Sequence, residues 1–120
     1  MRDFLIATAV IILLLVGVTV LSELGIARVE EYLTALPEVG SPEEAAAALR
    51  MLEERIRDDL FLLNTLFSHT RTDALELAVA GAAAAAESGD EVELAIKRAE
   101  LLSLLRDMHR DLTPHPADMI

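Results

Sequence analysis

One unbroken apolar run, FLIATAVIILLLVGVTVL from Phe4 to Leu21, constrains this chain more than any other feature. Its 18 residues carry no charge. As a helix rising about 1.5 Å per residue it reaches roughly 27 Å, close to the hydrocarbon thickness of a bilayer. A soluble helix this apolar needs cover on every side, and the rest of a 120-residue chain is too small to supply it. Signal-peptide cores are shorter and end at a small-x-small cleavage site, which TVLSELGIARVE lacks. Helical spacing also continues past the run, through Ile26, Val29, Leu33 and Leu36. The expectation is an uncleaved transmembrane anchor, residues 1–21, whose partner over residues 4–21 is the lipid bilayer.

The rest of the chain is acidic. Arg2 and Asp3 cancel, so the part after Leu21 keeps the whole formal charge of −11. A surface of that sign repels phosphate backbones and anionic headgroups, which argues against nucleic acid or peripheral lipid as a partner. There is no cysteine, so neither disulfide nor thiolate chemistry is open to the chain. With no Trp and only one Tyr and three Phe, a stacking pocket for a base or sugar is poorly supplied. Arg2 precedes the span, whereas Glu23 is the first charge after it. By the positive-inside rule this favours a cytoplasmic N-terminus and an extracytoplasmic helical domain at the cell membrane.

Beyond the run the periodicity is helical throughout, and no alternating stretch is long enough for a sheet. A first helix runs from the membrane as a stalk to about Leu36, and Pro37 and Gly40 break it. Ser41-Pro42-Glu43-Glu44 has the form of a helix start, with Ser at the N-cap and Glu closing a capping box. One stripe then follows through Leu49, Leu52, Ile56, Leu60, Leu63 and Phe67. A third helix is expected from about Asp73 to Glu87, with Thr70 or Thr72 as its cap. Its run AVAGAAAAAE reads either as a seam for a close neighbour or as plain helix propensity. Gly89 and Asp90 make a turn into a last helix whose stripe is Val92, Ile96, Ala99, Leu102, Leu105, Met108 and Leu112. Short turns make consecutive helices antiparallel. The expected fold is all-α: a transmembrane helix (1–21), a juxtamembrane helical stalk and linker (22–40), and an acidic three-helix domain (41–120) in an up-down bundle.

Reactive groups are few. The up-down order brings His69, His109 and His115 toward one end of the bundle, with Asp73, Asp107 and Asp111 as neighbours. Such a set could hold zinc or a similar divalent ion. No two of these histidines have the spacing that puts two ligands on one helical face, so a turn or helix-end role is the plainer reading. Ser68 beside His69 is the nearest thing to a nucleophile pair, and adjacent turn positions seldom aim at each other. The carboxylate pairs Glu30-Glu31, Glu43-Glu44, Glu53-Glu54 and Asp58-Asp59 fall opposite the apolar stripes, as solvated faces do.

The stretch FSHTRTDALELAVAGAAAAAESGDEVELAIKRAELLSLLRDMH, from Phe67 to His109, resembles the bacterial domain of unknown function 4363 family. That family's members are short proteins with an N-terminal apolar span and a few acidic amphipathic helices. The resemblance implies that its histidine is His69, its helix-opening acid Asp73 and the acid of its AEL core Glu100. Ala117 to Ile120 resembles its terminal motif. It implies a membrane-anchored helical domain and does not supply an activity.

The functional expectation is a non-enzymatic, cofactor-free, single-pass membrane protein. Its acidic helices would bind another membrane protein or a second copy as an accessory subunit. The candidate turn or partner contacts are His69, Asp73, Glu100 and His109. The alternative is an extracytoplasmic bundle that binds a ligand or metal ion through the same histidines and acids.

Overall fold

A computed structural model describes residues 1–37 and 41–112. The described residues form five helices and no strand: α1 (Arg2–Ala35), α2 (Pro42–Asp58), α3 (Leu60–Leu66), α4 (His69–Ser88) and α5 (Glu91–Leu112). Residues 38–40 of the linker and the C-terminal segment with His115 lie outside the described residues.

The 34-residue α1 has two different halves. From Phe4 to Leu21 every residue is exposed, and the most apolar window has a mean hydropathy of 3.0 with nothing buried against the bundle. Thr8 and Thr19 donate their hydroxyls to the carbonyls of Phe4 and Leu15, so even these polar groups are satisfied within the helix. One helix near the N-terminus is therefore long and apolar enough to cross a membrane. Beyond it Gly25, Val29, Tyr32 and Leu36 turn one face into the core. Their spacing of three to four residues is one helical stripe. The segment read as a stalk is a structural member of the bundle.

α2 and α3 run one after the other in the same direction, antiparallel to α1, since Glu31, Arg28 and Gly25 meet Arg55, Asp59 and Leu66 in turn. α5 runs back along α1, because Arg98 reaches the carbonyl of Pro37 while the later His109 reaches the earlier Glu30. α4 joins α5 through Gly89, whose φ of 75° is the left-handed geometry glycine adopts freely. Ser41 Oγ accepts from Glu44 N, and Asp90 Oδ1 from Glu93 N, as the capping pattern predicts. α4 lies between α2 and α5 and buries Val79, Ala82, Ala83 and Ala86. A helix with neighbours on two sides needs small residues on both, so the alanine run is a seam.

Two expectations give way. The stripe from Leu49 to Phe67 is not one helix but two, parted at Asp59 (φ −95°, ψ 7°). In the last helix the inward residues are Leu101, Leu105 and Met108, whereas Val92 and Ile96 are 72% and 49% exposed and Ala99 faces solvent. At that end the aliphatic stem of Lys97 lies beside Gly81, and Arg98 bonds to the α1 end. Long basic side chains there cover the seam that the apolar spacing assigned to Val92 and Ile96.

Gly25 marks where α1 enters the bundle. A Cβ there would run into Leu66 Cδ1 and come 2.9 Å from Leu112 Cδ1. The ends of α3 and α5 therefore close on α1 about 6 Å beyond Leu21, given the helical rise. Gly25→Leu is expected to lower unfolding free energy by about 1–3 kcal/mol through overpacking. Gly25→Ala should cost less, since the gain in helix preference of about 1 kcal/mol offsets part of the crowding. Chemical denaturation of both variants checks the order.

Candidate functional site

His69 and His109 do come to one end of the bundle, the end nearest the apolar half of α1. An ion pair between Arg71 and Asp111 ties the start of α4 to the end of α5 there. The four residues singled out from the sequence are nevertheless not gathered. His69 is exposed as the first residue of α4, and its side chain makes no hydrogen bond or ion pair among the described residues. His109 turns away toward α1, with Nε2 3.1 Å from Glu30 Oε1. Asp73 is exposed, at the edge of a shallow groove with Glu53 and Arg57. Glu100 sits more than two turns up α5, 3.7 Å from Lys97 Nζ. Among the described residues no three His, Asp or Glu side chains are grouped as a metal would require.

Ser68, not Thr70 or Thr72, caps α4: its Oγ accepts from Arg71 N at 3.2 Å. That hydroxyl is engaged as a cap, and α4 begins four residues earlier than Asp73. Thr72 lies inside the first turn of α4, buried at 1% exposure, and its Oγ1 has no hydrogen-bond partner among the described residues. Ser68→Ala is expected to cost about 1 kcal/mol. His69→Ala should change stability by less than about 0.5 kcal/mol. Thermal unfolding of the pair checks the assignment.

The most ordered polar arrangement was not foreseen. Tyr32, 1% exposed, donates its hydroxyl to Asp59 Oδ2 at 2.5 Å. The same carboxylate faces Arg55 Nε at 3.6 Å and Arg28 Nε at 4.0 Å. Glu31 accepts from Arg28 at 3.2 Å and from Arg55 at 3.0 Å. Two arginines, two carboxylates and a phenol thus join α1 to the α2–α3 break, with no net formal charge. Burial, and then the hydrogen bond to Asp59, pushes the Tyr32 phenol well above its usual range. The phenol stays protonated and donating, so this cluster is a clasp and not a nucleophile. A second inward acid, Glu53, is 8% exposed and held by Arg50 at 2.9 Å. Of the acid pairs read as solvated, Asp59 and Glu53 are therefore turned inward. A single tyrosine spaced three from Val29 and four from Leu36 was the available signal.

Beside the clasp α1 and α2 stand apart. They leave a groove of about 470 Å³ with the buried Tyr32 and Leu52 as its floor and Ala35 and Ala48 on its walls. Glu31, Glu54, Arg55 and Asp58 form its rim. Met51, also on its wall, is 72% exposed. An apolar floor with a charged rim can seat a side chain or short segment. The chain matches no protein-family model, no curated protein and no solved structure.

Proposed function

We propose that this is a single-span membrane protein whose acidic helical domain binds another protein, as an accessory subunit of a membrane complex. The observation that carries the reading is the continuity of α1: its bare apolar half passes without a break into the half that supplies Gly25, Val29 and Tyr32 to the core. Such a helix holds the domain at the bilayer surface with no flexible joint between. Inserted, the apolar half exchanges its exposed side chains for lipid contact, at about 25 cal/mol for each Å² removed from water. The proposed orientation is a cytoplasmic N-terminus and an extracytoplasmic bundle. Membership of the domain of unknown function 4363 family is part of the same proposal, supported by Phe67 to His109, and it adds no activity.

Isolation of the full chain in a mild detergent tests the reading. A stoichiometric partner or a defined homo-oligomer is expected. A monomer that retains no partner under gentle extraction would count against it. Engineered glycosylation sites in the α4–α5 turn should be modified if that turn faces the extracytoplasmic side, and protected if the orientation is reversed.

A further inference from the structure

We infer that the groove between α1 and α2 docks a basic segment of the partner protein, with an apolar side chain seated between Ala35 and Ala48. This rests on the interaction reading above and names the partner's chemistry. The walls carry alanine, Ala35 on α1 and Ala48 on α2, and the two helices stand apart there, which leaves the slot between them open. Tyr32 and Leu52 lie beneath as an apolar floor, and Met51 is an exposed, adaptable wall.

Charge selects the occupant. Arg55, the rim's one cation, is already engaged by Glu31 and Asp59. Glu54 and Asp58 are exposed on one face of α2, four residues apart, and neither has an ion pair among the described residues. Two unengaged carboxylates over an apolar slot fit Lys or Arg side chains flanking a Leu, Ile or Met. A second copy would bring the same acidic rim and a charge of −11 to the contact, and like charges there oppose association. Glu31 to Ala35 stand roughly 15–21 Å beyond Leu21 along the helix, within reach of a segment that itself emerges from the bilayer.

The test uses the full chain in neutral detergent micelles. Tyr32 is the one tyrosine, there is no Trp, and it lies in the groove, so its emission reports occupancy. The probe is a short aromatic-free helical peptide of alanine with one leucine flanked by lysines. Its control carries glutamate in place of lysine. The lysine peptide is expected to change Tyr32 emission saturably. Glu54→Gln with Asp58→Asn should weaken it about three- to tenfold, and added salt should act likewise. Ala48→Leu, which fills the slot, should abolish the response. Both carboxylates are exposed, so the double variant keeps the fold, and an unchanged helical circular dichroism spectrum verifies this. Equal responses to the two peptides, or none to either, would overturn the inference. So would self-association of the chain that Ala48→Leu removes, which makes a second copy the occupant. Recovery of a stoichiometric partner unaffected by Ala48→Leu overturns the groove while leaving the interaction reading intact.

Discussion

A fragment that begins at Ser41 is expected to lose cooperative unfolding, whereas one that begins at Ser22 keeps it. The sequence pattern invites a cut at the Pro37–Gly40 break, since α2 to α5 look complete without what precedes them. The packing says otherwise. Val29, Tyr32 and Leu36 are 0%, 1% and 6% exposed, in the same core as Leu63, Leu101 and Leu105. Each contributes about 1.5–3 kcal/mol by burial, so the three supply roughly 5–9 kcal/mol before the newly bared faces of α3 and α5 are counted. A domain of this size has a total stability of about 5–15 kcal/mol. Removing α1 therefore takes most or all of it. Urea titration of the two fragments reads the difference directly: a sigmoid with a baseline for the Ser22 fragment, and a featureless slope for the Ser41 fragment.

The second large effect lies at high pH. Tyr32 is the single tyrosine, and its folded-state pKa is raised by burial and by the bond to Asp59. A raised value means that the folded state holds the proton more tightly than the unfolded state. Stability from this group is complete below the ordinary tyrosine value of about 10 and is lost as pH rises above it. The loss proceeds at up to about 1.4 kcal/mol per pH unit. Phenolate absorbance and loss of helical circular dichroism should therefore appear together, both above pH about 10. Phenolate forming near pH 10 in a chain that keeps its helices would contradict this. Tyr32→Phe removes the alkaline sensitivity and costs about 1.5–3 kcal/mol at neutral pH, because Asp59 loses its hydroxyl donor.

What the sequence made legible follows from which rules are local. The apolar run, the Ser41 cap, the Gly89-Asp90 turn and the antiparallel order all rest on spacing or on one residue's backbone preference, and the structure has them. The stripe of the last helix holds at Leu102, Leu105 and Met108 and fails in its first half, because periodicity ranks residues by apolarity alone. Lys97 and Arg98 occupy inward-leaning positions with their aliphatic stems, so Val92 and Ile96 point outward. Spacing alone puts the cap of α4 too late, because three hydroxyl residues, Ser68, Thr70 and Thr72, compete in one stretch. Only the three-dimensional position shows that Thr72 is buried and Ser68 is not.

The clasp at Tyr32 and the groove beside it were illegible for a different reason. Tyr32 and Asp59 are 27 positions apart, and Asp59 interrupts a stripe that spacing carries straight through it. No local pattern distinguishes an inward aspartate from its solvated neighbour Asp58. The histidines were the opposite case. His69 and His109 drew notice as reactive types, yet one is solvent-exposed at a helix start and the other is turned to a glutamate on α1.

The proposed function depends on lipid as the solvent for Phe4 to Leu21. Flotation with neutral lipid vesicles, in the absence of detergent, measures that most directly. The full chain is expected to rise with the vesicles, while the fragment from Ser22 stays in the dense layer as a folded protein. A full chain that stays below as a soluble species, or a Ser22 fragment that rises equally well, would contradict the membrane assignment and the tethered-domain reading with it.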